Sequence, residues 1–384
     1  MKIIIAPDSF KGSLTAGEAA AAIERGVKKA FPDADTVLIP MADGGEGTME
    51  NLVGATGGRL VPVSVTGPLG QQVEAHYGVL GNQSACIIEV AAASGLGLIS
   101  SQERNPMEAT SYGTGQLIKA ALDDGFRSFI LALGGSATND GGAGMMQALG
   151  LSLKDRNGKE IGYGGEELGR LHHISLKTLD SRLNECKFLI ASDVDNPLVG
   201  ETGASYVFGP QKGADEEMVK KLDQHLRHWA DLVEAETGIR LHDKPGAGAA
   251  GGMGGASLAF FPVQFKRGID VLLEFAKMDE ALDGADLVIT GEGQVDGQTA
   301  HGKAPMGVAQ AAWKRKVPTL VLAGSVGEKA EALYPYGVIG VYSIINRPMT
   351  LEQAMEKAEE LMEHSAEQVI RTFFRKNKAE TGND

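Results

Sequence analysis

The stretch that decides the fold reads ADLVITGEGQVDGQTAHGKAPMGVA, residues 285–309. Its first part, 286–290, is a short β-branched run, which is typical of a strand buried on both faces. From Ala304 the pattern becomes helical, and Pro305 suits a first helical turn. A glycine-rich loop between a strand and a helix N-terminus is typical of phosphate binding, because glycine lets backbone N–H groups approach an anion.

This loop holds the first group of candidate residues. Part of it, Gly297-x-x-x-x-Gly302-Lys303, has the Walker A spacing. Ala304, however, lacks the hydroxyl that would hold Mg²⁺, and the loop begins too far from the predicted strand for a standard P-loop. We therefore expect phosphate binding on a different frame, and the alternative is a connection whose glycines serve only turns. The candidates are Gly291, Gly293, Gly302 and Lys303 for phosphate, and Glu292 and Asp296 for metal.

Length and composition narrow the class of protein. A chain of 384 residues predicts two domains, and a net charge of −14 argues against nucleic-acid or anionic-membrane binding. Cys86 and Cys186 lack metal-ligand spacing, which fits a reducing compartment. The N-terminus predicts a first strand rather than a signal peptide, and no run is long enough to span a bilayer. We expect a cytoplasmic location, and a homo-oligomer is compatible with the sequence.

Polar residues also follow two predicted strands near the N-terminus. Open parallel sheets bind ligands at the carboxyl ends of their strands, so these positions favour a binding site. A capped turn and an unremarkable Asp-Gly turn are the alternatives. The candidates are Asp8, Ser9 and Lys11 after strand 2–6, and Asp43, Gly44 and Gly45 after strand 36–40.

The middle of the chain changes character. Residues 60–91 predict antiparallel strands separated by glycine turns, which indicates a domain boundary. Farther on, strand 128–133 leads into GGSATNDGGAG, and strand 187–191 leads into SDVDNPL. Two carboxylates two residues apart suit Mg²⁺ plus a base, although surface turns also use aspartate freely. The candidates here are Ser136, Thr138, Asn139, Asp193, Asp195 and, in FGPQKGA, Lys212.

Long motifs in a fixed order carry a resemblance to a known family. APDSFKGSL, ADGGEGT, GGSATNDGGAG, ASDVDNPL, FGPQKGA and GEGQVDGQTAHGKAP are similar to motifs of the bacterial glycerate kinases. The resemblance extends from Ile3 to about residue 373. It implies phosphorylation of D-glycerate by ATP at the 2-hydroxyl, giving 2-phosphoglycerate, with Mg²⁺ accompanying the ATP. It also implies a two-domain α/β protein with its active site in a cleft.

Residue roles follow from this combination. We expect Lys11 and Lys303 to bind ATP phosphates or the glycerate carboxylate. We expect Asp193 to be the general base and Asp195 to serve Mg²⁺ or structure. For the fold we expect a Rossmann-like parallel-sheet domain from residues 1–60 and 275–384. A second α/β domain with a mixed sheet, 61–274, would be inserted between them, and 106–150 could belong to either domain.

Three other functions stay open. A nicotinamide dehydrogenase should show G-x-G-x-x-G directly after a strand, with an acidic residue about 20 positions later, and no loop satisfies both conditions. A non-catalytic sugar-acid or nucleotide sensor would need fewer carboxylates and no lysine in a nearly Walker-like loop. A kinase for another small hydroxy acid would share every feature described above.

Overall fold

The computed structural model describes residues 1–42, 45, 47–301 and 303–374. The strands are β1 (Lys2–Pro7), β2 (Asp35–Leu38), β3 (Arg59–Thr66), β4 (Gln72–Val79), β5 (Cys86–Glu89), β6 (Ser128–Ala132), β7 (Ser152–Lys154), β8 (His173–Ser175), β9 (Lys187–Ala191), β10 (Val263–Lys266), β11 (Leu287–Val295), β12 (Thr319–Val326) and β13 (Val338–Ser343). The helices are α1 (Ala16–Ala30), α2 (Thr48–Thr56), α3 (Val90–Ser94), α4 (Tyr112–Asp123), α5 (Ala143–Ala148), α6 (Ala204–Phe208), α7 (Glu216–Thr237), α8 (Met253–Phe260), α9 (Gly268–Phe275), α10 (Met278–Ala281), α11 (Ala304–Lys314), α12 (Leu351–Glu356) and α13 (Ala358–Phe374).

The chain forms two compact α/β units, as the predicted fold class requires. Met1–Asp43 and Ile269–Asp384 make the first unit, and Gly44–Gly268 makes the second. The predicted ranges placed 47–60 in the first unit and 269–274 in the second, whereas the structure places 47–60 in the second unit and 269–274 in the first. Residues 106–150 also lie in the second unit. The expectation of an active site in a cleft stays a prediction.

The first unit contains a parallel sheet with the order β2-β1-β11-β12-β13. The chain runs outward from β1 to β2 and then resumes at β11, on the other side of β1. The strand order therefore reverses between β1 and β11, and open α/β sheets bind ligands at such a point. Two of the predicted candidate loops follow these two strands.

Helix α1 begins with a capping box. Thr15 caps the helix by accepting from the Glu18 backbone N–H, and the Glu18 carboxylate accepts from the Thr15 N–H in return. The buried face of α1 lies close to α13, since a Cβ on Gly26 would fall 2.2 Å from the Glu363 carbonyl oxygen. The cap thus fixes where α1 begins, and Gly26 permits its close packing on α13.

The second unit contains a mixed sheet with the order β10-β9-β6-β5-β4-β3. Strands β5, β6, β9 and β10 are parallel, whereas β3 and β4 pair antiparallel. This confirms the predicted antiparallel strands within 60–91. Strands β7 and β8 form a separate antiparallel pair.

The glycine-rich segment 245–257 is close-packed and is not a linker. A Cβ on Gly251 would fall 2.0 Å from the Thr138 carbonyl oxygen, and the Gly141 N–H donates to the Gly251 carbonyl at 2.9 Å. Glycine is required here because two backbone segments touch without room for a side chain. The segment thus supports the loop after β6.

Two predicted helices differ from the structure. The sequence pattern predicts a helix over 106–124, whereas α4 begins only at Tyr112. Apolar spacing over 351–373 predicts one helix with Leu351 on its apolar face. The structure divides this segment at Lys357 into α12 and α13, and Leu351 is 77% exposed. None of the helices in the described ranges has the length and apolar character needed to cross a bilayer.

Candidate active site

Strand β11 is longer than the sequence predicts. It runs to Val295, so Gly291, Glu292 and Gly293 lie on the strand, and their predicted placement in a loop is wrong. The reason is pairing with β12, which continues through Val295↔Val326. A Cβ on Gly291 would fall 1.9 Å from the Leu322 carbonyl oxygen, so glycine permits this close approach.

The extension changes the position of the nearly Walker-like loop. The strand ends at Val295 and α11 begins at Ala304, with Lys303 as its N-cap. Gly297 therefore lies just beyond the strand, and the prediction that the loop is too distant for a P-loop frame is wrong. The missing hydroxyl at Ala304 remains the difference from a Walker A loop.

A buried carboxylate lies at the centre of the first candidate group. Glu292 is only 7% exposed. The Thr299 hydroxyl donates to its Oε1 at 2.6 Å, and Lys303 Nζ lies 3.4 Å from its Oε2. Burial raises the pKa of Glu292, while the hydrogen bond from Thr299 and the charge of Lys303 partly oppose this rise.

Thr299 is a site residue that sequence reasoning missed. Its buried hydroxyl also accepts from the Asp296 backbone N–H at 3.2 Å, so one side chain ties the Glu292 carboxylate to the backbone of Asp296. The Asp296 carboxylate accepts from the Gln298 N–H at 2.8 Å and from Gln294 Nε2 at 3.1 Å. The available signal was a hydroxyl inside the glycine-rich loop, but only burial shows its role.

The loop after β1 presents Lys11 on an exposed turn. The Asp8 N–H donates to the Gly291 carbonyl at 2.8 Å, which ties the start of the loop to β11. Asp8 also accepts from the Ser9 N–H at 2.6 Å. Buried Phe10 closes the turn through hydrogen bonds with Leu14 at 2.8 and 3.0 Å. The candidate loops after β1 and β11 therefore follow neighbouring strands.

The first group fits Mg²⁺ that arrives with a nucleotide. Within the described ranges, no cluster of three or more His, Cys, Asp or Glu side chains could hold a metal ion by itself. Mg²⁺ in kinase sites usually takes one or two carboxylates and completes its octahedron with phosphate and water oxygens. Glu292 on β11 and Asp296 just beyond its end are the two carboxylates that would serve this purpose.

The second unit holds a separate group around a buried lysine. Lys212 is 2% exposed and ends a 3-10 turn, 210–212. Its ammonium donates to Ser136 Oγ at 2.9 Å and to the Thr138 carbonyl oxygen at 2.7 Å. Burial lowers the pKa of Lys212 to about 7, and the nearby Asp140 carboxylate opposes the shift. The structure thus brings three predicted residues together.

Two residues of the loop after β6, Asn139 and Asp140, are fully buried. Asn139 Nδ2 donates to Ser205 Oγ at 2.9 Å. Asp140, the other residue absent from the predicted site, accepts from the Ser111 N–H and hydroxyl and from the N–H groups of Gly142 and Gly144. Burial raises its pKa and these hydrogen bonds oppose the rise. Asp140 therefore organises the loop backbone.

Asp193 and Asp195 follow β9 and are both exposed. Asp193 Oδ1 accepts from the Gly268 N–H at 3.3 Å. Among the remaining candidates, the Gly45 carbonyl accepts from the Thr48 hydroxyl at 2.7 Å. The candidates Asp43, Gly44 and Gly302 lie outside the described residues.

Comparison with known proteins identifies the family. The profile of the Glycerate kinase family matches residues 3–374. The chain is 52% identical over 369 residues to the glycerate kinase of Bacillus subtilis, covering 96% of this chain and 97% of the relative. It is 48% identical over 358 residues to the glycerate 2-kinase of Escherichia coli, covering 93% and 94%.

A solved structure agrees with these sequence relatives. The crystal structure of a candidate glycerate kinase 2 from Salmonella typhimurium LT2 matches with a TM-score of 0.89 and 48% identity. The match covers 98% of this chain and 99% of the Salmonella chain. The chain therefore belongs to the glycerate kinase family.

Proposed function

We propose that this protein is a glycerate 2-kinase, which transfers the γ-phosphoryl group of ATP to the 2-hydroxyl of D-glycerate. The products are 2-phosphoglycerate and ADP. The observation that carries the proposal is the contact of Thr299 and Lys303 with buried Glu292, at the carboxyl end of β11. The name of the Escherichia coli relative supports the 2-hydroxyl as acceptor.

The candidate residues of the first unit would neutralise the charge of the phosphates and align the substrates. Phosphoryl transfer depends mainly on alignment and on neutralising the phosphate oxygens. Lys303 and Lys11 bind ATP phosphates or the glycerate carboxylate. Gly291 lets the backbones of β11 and β12 approach closely at the same edge. Glu292 and Asp296 would hold Mg²⁺, which when bound supplies positive charge to the transferring phosphoryl group.

The acceptor hydroxyl must lose its proton as the new P–O bond forms. Asp193 is our proposed general base, since it follows a buried strand and its carboxylate is exposed. Lys212 holds the Ser136–Thr138 backbone in place, and Asp195 serves Mg²⁺ or structure. We also propose a cytoplasmic location, since Cys86 and Cys186 are free thiols, and cell fractionation tests it.

A direct assay tests the reaction. Purified protein with ATP, Mg²⁺ and D-glycerate should release ADP and 2-phosphoglycerate, and chelation of Mg²⁺ should abolish turnover. L-glycerate, glycolate and lactate form the comparison panel. Glycerate-independent ADP release, or 3-phosphoglycerate as product, would contradict the proposal. A faster hydroxy acid in the panel would favour the alternative kinase, and binding without turnover would favour the sensor.

The same assay tests the loop lysines. Lys303→Met or Lys11→Met should lower kcat/KM at least about 100-fold, the scale expected when a charge that stabilises the transition state is lost. Lys314→Met is a matched control, because Lys314 is exposed at the opposite end of α11. Near-normal kinetics in either loop variant would remove that lysine from the site.

A further inference from the structure

A pocket beside the first candidate group has no role in the reaction as described so far. It is a pocket of about 400 Å³, open to solvent, at the carboxyl ends of β11 and β12. Two segments line it, 294–298 and 327–329. Asp296 and Gly297 belong both to this pocket and to the glycine-rich loop that ends at Lys303. The pocket is therefore continuous with the proposed phosphate-binding loop.

The walls of the pocket are held together by backbone contacts. The Gly297 N–H donates to the Glu328 carbonyl at 3.0 Å, and the Gly327 N–H donates to the Val295 carbonyl at 2.8 Å. A Cβ on Gly327 would fall 3.0 Å from Asp296 Cβ, which is tighter than ordinary packing. Because the hydrogen bonds run in both directions, the two loops form one pre-organised wall.

Lys329 adopts an unusual backbone conformation at the rim of this pocket. Its φ is +63° and its ψ is +21°, in the left-handed region that non-glycine residues seldom occupy. Its Cβ and Cδ lie 3.1 and 3.5 Å from the place where a Cβ on Gly297 would be. The lysine side chain thus lies along the glycine-rich loop, and strained residues of this kind cluster at ligand-binding sites.

The chemistry of the lining selects part of a nucleotide. The side chains in the lining are two carboxamides, two carboxylates and one ammonium, with two glycines and no aromatic or large apolar residue. A base would find no stacking surface here, whereas sugar hydroxyls and phosphate oxygens would find hydrogen-bond partners. A carboxylate that accepts from ribose hydroxyls is a recurrent device of nucleotide sites.

We propose that this pocket binds the ribose of the nucleotide, with Glu328 accepting from its hydroxyls and Lys329 contacting its phosphates. This inference rests on the proposed function, since it requires ATP phosphates on the adjoining loop. It adds a ribose site and a further phosphate-contacting lysine to that function. The base would lie outside the pocket.

Calorimetric titration with ADP in the presence of Mg²⁺ tests the lysine. Lys329→Met should raise the Kd for ADP about tenfold, as expected for loss of one charge-assisted contact. The KM for glycerate should stay unchanged. Lys316→Met is the matched control, because Lys316 is also exposed and also has a left-handed φ, +60°. It should bind ADP within about twofold of the wild type.

Comparison of ADP with 2′,3′-dideoxy-ADP tests the ribose contact. The wild type should prefer ADP, and Glu328→Ala should lose most of that preference. An unchanged Kd in Lys329→Met, an equal loss in Lys316→Met, or a preserved ribose preference in Glu328→Ala would overturn the inference.

The binding readout separates this inference from the proposed function. Weakened ADP binding in Lys329→Met without any phosphorylation of glycerate would contradict the function alone. Normal phosphorylation with unchanged ADP binding would contradict this inference alone. A wild-type protein that does not bind ADP would overturn both.

Discussion

At the scale of single residues, Lys212 places an ionisable group in the interior of the second unit. Burial lowers its pKa from the usual 10.5 to about 7. The nearby Asp140 carboxylate opposes this shift without cancelling it. Between pH 7 and 10.5 the unfolded chain therefore holds one more proton than the folded chain.

This difference sets the sign of a pH dependence. The free energy of unfolding should rise with pH through that window. Below and above it, Lys212 should add nothing to the slope of that free energy against pH. The free energy of unfolding of the wild type relative to Lys212→Met should increase by up to about 1.4 kcal/mol per pH unit between pH 7.5 and 9.5. Urea unfolding followed by the fluorescence of buried Trp229, in a Trp313→Phe background, measures this.

Lys220→Met is the control for that experiment, because Lys220 is exposed on α7. It should keep the wild-type slope. Equal slopes in the wild type and Lys212→Met would show that the buried ammonium does not titrate in this range.

The roles of Asp193 and Asp195 can be distinguished by whether added Mg²⁺ restores the activity of their Asn variants. Asp193→Asn keeps the shape of the side chain but removes the basic oxygen, so kcat should fall much more than the KM for glycerate rises. Raising Mg²⁺ should not rescue it. Asp195→Asn should be rescued if Asp195 binds the ion. Recovery of Asp193→Asn at high Mg²⁺ would rule out Asp193 as the base.

At the scale of elements, the carboxyl end of β11 itself carries residues of the candidate site. The strand carries Glu292 between two glycines whose surroundings differ. A Cβ on Gly291 would fall 1.9 Å from the Leu322 carbonyl oxygen, whereas one on Gly293 would lie 3.6 Å from Phe10 Cα. Close backbone approach therefore depends on the first glycine and not on the second.

A pair of substitutions tests this difference. Gly291→Ala forces β12 to move and should destabilise the protein by about 1–3 kcal/mol or more, the usual cost of overpacking. Gly293→Ala makes an ordinary contact and should stay within about 0.5 kcal/mol of the wild type. Thermal unfolding measured by circular dichroism compares the two. Equal destabilisation would contradict the close pairing of β11 with β12.

At the scale of the whole molecule, each unit has cores of its own. Residues from Val65 to Phe261 form the large core of the second unit. A core of the first unit combines residues of both chain ends, for example Ile3 and Ile23 with Leu322 and Met362. The second unit is therefore continuous in sequence, whereas the first unit needs two distant segments.

Folding of fragments should follow this division. A fragment of residues 44–268 should fold alone and unfold cooperatively in urea, because its apolar contacts are internal. A fragment of residues 269–384 should not form a stable sheet, because β1 is its central strand's partner. Dispersed proton NMR spectra would distinguish folded from unfolded fragments. A folded 269–384 fragment would contradict the shared core.

The amino-acid sequence by itself determined the elements whose signals are local. Strand β9 has the predicted bounds, 187–191. The helical spacing of 16–30, with Thr15 or Ser13 as its candidate cap, predicts α1, and the structure shows that Thr15 is the cap. The ordered motifs also indicated the family that the comparisons confirm. Apolar periodicity, caps and glycine turns involve neighbours within a few residues, so they can be recognised without knowing how the chain packs.

Tertiary structure alone decided what depends on residues far apart in the chain. Strand β11 extends past Gly293 because β12 continues beside it, although glycine is unfavourable in a strand. Thr299 acquires a role because its hydroxyl is buried against Glu292, and Lys212 because it lies beneath the loop after β6. Burial and pairing with remote segments set the free energy of these groups, and no pattern of neighbouring residues encodes them.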